Sequence, residues 1–225
     1  MGQRWTDDHN HAVEQATEEA HLTKDSTNFP SVAGQLLVAM PSLMDPTFGG
    51  TVVFVAEHNP QGAMGIVVNR PADMSLASLF ARIDLKPETR VTVDASDPAD
   101  TAEVPVMAGG PVQTDRGFVL HEPVGQWSST LSVTGGLADI GLTSSRDILE
   151  AAAKGNGPQR MLVALGYSGW GEGQLDAELA ANAWLTVPLH DADVLFSVAP
   201  EDRLSAAFAL LGVDPLNLSG AVGHA

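Results

Sequence analysis

Three groups of residues have types and spacings that could do chemistry. The first is Asp45, Glu57, His58 and His121, a set suited to acid–base work or to holding a metal. Glu57 and His58 end a β-branched run, and neighbours on a strand point to opposite faces, so both enter one site only if the strand bends. No H-x-x-x-H or H-E-x-x-H spacing accompanies them, and the sequence assigns neither metal nor cofactor. The second group is Gly166-Tyr167-Ser168-Gly169-Trp170-Gly171-Glu172-Gly173, between an apolar run and a helix. Such a corner is where G-x-S-x-G presents a nucleophilic serine. Gly166 and Ser168 fit, but Trp170 stands in place of the last glycine. The partners would be His190 or His224 with Asp176 or Asp191, which any chain of this size could offer. A dinucleotide fingerprint fails because Gln174 occupies the third glycine position. Free amides of Gly171, Glu172 and Gly173 could hold an anion, although the Glu172 carboxylate opposes one. The competing reading is a tight corner whose glycines let Tyr167 and Trp170 pack closely. The third group is Asn69-Arg70 with Asp45 and Asn59, and the turn Gly109-Gly110-Pro111. Asp45, Asn59, Asn69 and Arg70 read as loop fasteners, through side-chain-to-backbone hydrogen bonds or an ion pair that ties a hairpin to a sheet, and Gly109-Gly110-Pro111 reads as a turn.

The elements that must position these groups follow from periodicity. Residues 1–33 read as a polar arm, either disordered or carrying a short helix from Thr6-Asp7-Asp8 to about Leu22. His9 and His11, on that arm, read as solvated side chains. Leu36 to Met40 is a buried strand ended by Pro41. Thr51–Ala56 and Ala63–Asn69 form an antiparallel hairpin across the turn Asn59-Pro60-Gln61-Gly62. Ser75 caps a short helix to about Ile83. Residues 84–103 form an acidic excursion, expected to be exposed and mobile from Asp94 to Glu103, with one weak strand at Val91-Thr92-Val93. Further strands are expected at Val104–Ala108, Gly117–His121, Thr130–Val133, Ile140–Thr143, Met161–Leu165, Trp184–Val187 and Val194–Phe196. Ser144 or Ser145 caps a helix over Asp147–Lys154, and two more helices are expected over Gln174–Ala183 and Asp202–Leu211. Strands and helices do not alternate regularly. The fold class is therefore α+β: a single domain, residues 34–225, on a large mixed, mostly antiparallel sheet or partial barrel with flanking helices.

Composition narrows the function classes. The 225 residues include 28 Asp and Glu against 11 Lys and Arg, a formal charge of −17, and no cysteine. Thiol nucleophiles, disulfides and thiolate metal sites are excluded. Residues 34–225 hold nine bases and 22 acids, and the bases are scattered singly. Nucleic-acid affinity draws on Lys and Arg that displace counterions, so direct DNA binding is disfavoured. The same field opposes anionic lipid, no apolar run reaches the length of a membrane span, and the N-terminus carries no secretory signal pattern. A cytoplasmic location is the expectation.

Several blocks together resemble the AlgH/YqgE family of bacterial proteins. They are Met40-Pro41-Ser42-Leu43-Met44-Asp45-Pro46, Glu57-His58-Asn59, Gly62–Pro71, Gly109-Gly110-Pro111-Val112, Arg116–His121, and Gly166–Leu175 with Glu178, Asn182, Ala183 and Trp184. The resemblance runs from about Gly34 to the C-terminus. It implies a single α+β domain, a cytoplasmic bacterial protein and a regulatory role in transcription, with no established reaction. Many relatives carry a cysteine where this chain has Ala56, so a thiol-based role does not transfer. The leading expectation is a non-enzymatic regulatory or interaction protein with a protein or small-molecule partner. The alternative is an anion- or ligand-binding protein or enzyme using Asp45, Glu57, His58, Asn69, Arg70, Gly109, Gly110, Ser168, Gly169 and Gly171. A DNA-binding regulator is a third reading, in conflict with the charge.

Overall fold

A computed structural model describes residues 29–40, 47–88, 91, 104–136 and 139–212. The chain separates into Met1–Pro30 and Ser31–Ala225, and every element named below belongs to the second unit. The helix expected before Leu22, the turn containing Asp45, and residues 94–103 lie outside the described residues.

Ten strands and five helices make up the described part. The strands are β1 (Gln35–Ala39), β2 (Val52–Asn59), β3 (Gly62–Val67), β4 (Pro71–Ser75), β5 (Pro105–Ala108), β6 (Val112–Glu122), β7 (Thr130–Ser132), β8 (Gly141–Thr143), β9 (Arg160–Trp170) and β10 (Trp184–Pro188). The helices are α1 (Leu76–Arg82), α2 (Asp147–Ala153), α3 (Gln174–Ala180), α4 (Asp193–Phe196) and α5 (Arg203–Leu210). One sheet runs in the order β10-β1-β2-β3-β9-β6-β8-β7, with β5 also on β9 and β4 on β5. Every pairing is antiparallel except β5 beside β9. The result is a curled half-barrel sheet with helices packed on it, an α+β domain.

Strand alternation divides the core. Leu36, Val38, Val52, Phe54, Ile66, Phe118, Leu120, Leu162 and Ala164 face one side, which Val194, Leu195, Ala207 and Phe208 of α4 and α5 cover. On the other side, Leu37, Val53, Val55 and Trp170 meet Leu175 of α3. Farther along that side, Val119, Met161 and Val163 meet Leu76, Leu79 and Phe80 of α1 and Ile148, Leu149 and Ala152 of α2. Central strands covered on both faces lose the apolar–polar alternation, which explains the continuous runs at 36–40 and 161–165.

Four expectations need correction. Gly166–Trp170 is not a corner but the second half of β9, which continues through the glycines and turns only at Gly171–Gly173. Val194–Phe196 belongs to helix α4. The Asp191 carboxylate accepts the Asp193 N–H at 3.0 Å and starts the turn, and a short apolar run does not distinguish the two periods. Neither serine caps α2: its N-cap is Arg146, without a side-chain cap bond. The Ser145 hydroxyl instead reaches the Asp147 carboxylate and the Ser128 carbonyl. The acidic excursion is not wholly exposed. Val91 is fully buried outside any strand, and the Glu88 N–H donates to the Ala153 carbonyl at 2.8 Å. Apolar contact outweighs the local charge there, because Val91 packs into the cluster under α1 and α2.

Candidate functional site

The β2–β3 hairpin, the end of β9 and helix α3 bring two of the three sequence groups together. In the ladder, His58 lies opposite Ala63, which lies opposite Trp170. Two rows on, past Glu57, Met64 and Gly169, Val55, Gly65 and Ser168 are aligned. Between Val55 and Glu57 the register shifts at a β-bulge. The extra residue reverses the alternation and turns His58 toward α3. Glu57 consequently faces the other way, and its carboxylate accepts from Asn59 Nδ2 at 2.8 Å. Glu57 and His58 do not share a site.

His58 is 5% exposed and both ring nitrogens are engaged. Nδ1 accepts the Val32 N–H at 3.2 Å, which leaves the proton on Nε2, 3.5 Å from Asp176 Oδ2. The ring thus couples the segment before β1 to α3, and the Ser31 hydroxyl adds a bond to the His58 carbonyl at 2.7 Å. Ser168 is fully buried, and its hydroxyl donates to the Gly109 carbonyl at 3.4 Å. A nucleophile needs a base within hydrogen-bond reach and an open approach; Ser168 has a carbonyl and no opening.

Asn69 and Arg70 act as fasteners, as expected for this pair. Asn69 Oδ1 accepts the Val52 N–H at 2.8 Å, and its amide donates to the Gly50 carbonyl at 3.0 Å. The Arg70 guanidinium donates to the carbonyls of Thr47 and of Gly49, the latter at 2.8 Å. Together they hold the 47–50 loop against the end of β3. Gly109 and Gly110 sit where the link between β5 and β6 crosses β9. A Cβ on Gly110, whose φ is +154°, would lie 2.2 Å from the Tyr167 carbonyl carbon, and one on Gly109 2.4 Å from the Gly166 oxygen. Only glycine permits that approach. Gly169 is also strand backbone here, and Gly171 donates its N–H to Gln174 Oε1 at 3.1 Å, which occupies the amide an anion would use.

Three further clusters carry chemistry-bearing groups; the sequence singles out His121 among them, but not the carboxylate clamp on Glu178 or the buried Arg203. The first centres on Glu178 of α3. Its Oε2 accepts the indole N–H of Trp170 at 2.9 Å and of Trp184 at 2.7 Å, and its Oε1 accepts Gln174 Nε2 at 2.9 Å. Phe48 completes the assembly, with ring centroids 6.2 Å from Trp170 and 5.6 Å from Trp184. The i, i+4 spacing of Gln174 and Glu178 was the available signal, but nothing local pairs either with residue 184. The second is His121, fully buried, whose Nδ1–H donates to the Pro123 carbonyl at 3.0 Å while Nε2 lies 2.8 Å from the Thr143 hydroxyl. Burial pushes the imidazole below its usual value, outweighing the Pro123 carbonyl and the field of Asp139. The third is Arg203, 5% exposed, which donates to the carbonyls of Val68 and of Val198, the latter at 2.9 Å. Desolvation pushes its guanidinium down to about 10 against the field of Glu201. His121 is not part of the His58 region, so the proposed acid–base constellation is not assembled. Asp45 lies outside the described residues. Among the described residues no three His, Asp or Glu side chains converge as a metal cage requires.

Comparison with known proteins matches this arrangement to one group. An AlgH-like family model covers residues 36–216. A UPF0301 protein of Bordetella petrii is 52% identical over 214 residues, covering 93% of this chain and all of the relative. A UPF0301 protein of Cupriavidus pinatubonensis is 53% identical over 195 residues, covering 87% of this chain and 96% of the relative. The solution structure of the AlgH protein from Pseudomonas aeruginosa superimposes with a TM-score of 0.66 at 45% identity, covering 88% of this chain and 98% of that one. A Corynebacterium diphtheriae crystal structure shares the fold, with a TM-score of 0.58 at 18% identity. The blocks that hold the hairpin, the glycine crossing and the Trp–Glu–Trp cluster lie within the matched span, and the chain belongs to the AlgH-like, UPF0301 family.

Proposed function

We propose that this protein is a cytoplasmic regulatory or interaction protein that acts by binding a protein partner rather than by turning over a substrate. The observation that carries the reading is the employment of its polar motif residues. Ser168, His58, Asn69 and Arg70 spend their donors and acceptors on backbone carbonyls, backbone amides or one carboxylate, and so hold loops and strands in place. The acidic charge supports a protein partner over nucleic acid, and any effect on transcription is exerted through that partner. Among the described residues, no helix is long and apolar enough to cross a membrane.

The test is affinity capture of the full chain in cells that carry it, followed by reconstitution with each captured protein in purified form. The expected result is a complex of fixed stoichiometry whose affinity is unchanged by Ser168→Ala. A metabolite consumed by the purified chain, with loss of that turnover in Ser168→Ala, would overturn the proposal.

A further inference from the structure

Strand β10 closes one end of the sheet, paired with β1 on one side only. The Met40 N–H donates to the Ala183 carbonyl, and Gln35 lies opposite Pro188. Antiparallel pairs alternate in bonding, so Leu185 and Val187 direct their backbone groups to β1, while Trp184 and Thr186 direct theirs outward. Among the described residues nothing pairs with that outer edge. An open edge is a template for another strand unless something protects it.

The edge is also apolar on both flanks. A cleft of about 550 Å³ is lined by Val32, Leu179, Trp184, Leu185, Thr186 and Leu211. Trp184 and Leu179 belong to the cluster beneath α3, whereas Leu185 and Leu211 pack with the opposite cluster. The cleft therefore wraps the edge instead of opening on one face. Beside Leu211 stands Leu210, which among the described residues is the one large hydrophobic side chain left exposed, at 45%.

Charge selects the occupant. Residues 171–212 supply β10 and the helices that frame it, and they carry seven acids, of which Asp193 is already paired to Arg160 of β9, against one base. That base is Arg203, buried among carbonyl oxygens. Asp191, Glu201 and Asp202 are exposed. A second copy of this chain would bring the same acidic frame to the edge. An extended segment with basic residues brings the complement.

We propose that the outer edge of β10 and its cleft receive an extended, basic segment of a partner protein as an added strand. Backbone groups of Trp184 and Thr186 would supply the ladder, and alternate apolar side chains would enter the cleft from the two faces. This rests on the protein-partner reading and names the surface and the chemistry of the partner.

The test titrates the full chain into a fluorescein-labelled peptide, Lys-Lys-Val-Thr-Val-Thr-Val-Lys-Lys, read by anisotropy. Controls are the same peptide with Glu for Lys, and one N-methylated at alternate backbone amides. The variant is Thr186→Pro, which removes the outward N–H and leaves the ladder to β1 intact, a substitution edge strands accept. The expected result is micromolar binding that weakens at least about tenfold between about 50 and 500 mM salt, as screening of charge requires. Binding is lost with the acidic peptide and falls at least about tenfold with the methylated one or with Thr186→Pro. Should Thr186→Pro fail to fold, the methylated peptide decides alone. Absence of binding, or equal binding by the methylated peptide, would overturn the proposal. So would protection of the Thr186 amide from hydrogen exchange without peptide, with sedimentation telling a second copy from residues 213–225 as the cover. If these fail while a reconstituted partner complex forms, the partner reading stands and this surface is wrong.

Discussion

Replacing Glu178 by alanine removes one carboxylate and strands two indole N–H groups at once. Trp170 and Trp184 are 6% and 4% exposed, so neither indole donor finds water easily once the carboxylate is gone. A hydrogen bond to a charged acceptor contributes about 1.5–3 kcal/mol, and a buried donor left without one costs a similar amount. Glu178 is half-buried rather than sealed, so the lower end applies. The expected loss for the pair is about 3 kcal/mol, a melting-temperature drop of about 6–12 °C for a domain of this size. Glu178→Gln keeps one oxygen for the indoles and sacrifices charge assistance, so it should lose about 1 kcal/mol. Urea unfolding followed by tryptophan fluorescence measures both losses. Near-UV circular dichroism reports the Trp170–Trp184 coupling, whose centroids lie 6.0 Å apart. A Glu178→Ala loss below about 1 kcal/mol would refute the assignment of this carboxylate as the clamp between β9, α3 and β10.

Other outcomes follow from the same geometry. Asn69→Ala strips the Val52 amide and the Gly50 carbonyl of their partner and should cost about 1–2 kcal/mol in urea unfolding, whereas Ser168→Ala, with one long bond to lose, should change stability by less than about 1 kcal/mol. His121 sits neutral below its unfolded value of 6.5, so its contribution to stability is full above that pH. It is lost as pH falls from the unfolded value through the lower folded one, because the unfolded chain takes up the proton first. An NMR titration checks this, and protonation of the folded ring at or above 6.5 would contradict it. Titration against mixed-sequence duplex DNA at about 50 mM salt should give no saturable binding.

Much of the fold was legible because its elements obey local rules. Ser75 precedes α1 and its hydroxyl does accept the Ser78 N–H at 3.2 Å. The Asn59–Gly62 turn does join an antiparallel hairpin. What escaped was set by distant packing. Gly166 and Gly169 read as a corner, since glycine marks turns, yet both lie within β9, and a Cβ on Gly166 would come within 2.5 Å of the Gly110 oxygen where the Gly109-Gly110 link crosses the strand. Strand β4, anchored by the Pro71–Met107 pairing, has no alternation to reveal it. The site was legible in part. The role of Asn69 and Arg70 as loop fasteners follows from their chemistry. The facing of His58 depends on a bulge at Val55–Glu57, and the clamp on Glu178 needs Trp170 and Trp184 brought together across the sheet. Neither is encoded by spacing.

In the function proposed above, this family member works through contact with another protein while its polar motif residues hold the scaffold. A photo-reactive amino acid placed at Thr186 of the full chain in its native cells captures such a contact where it forms. Each adduct is identified by mass and then reconstituted from purified components. The expected result is one reproducible protein adduct whose reconstituted complex forms with wild-type chain and with Ser168→Ala alike. Adducts that never reconstitute, together with saturable binding of duplex DNA by the purified chain, would contradict it.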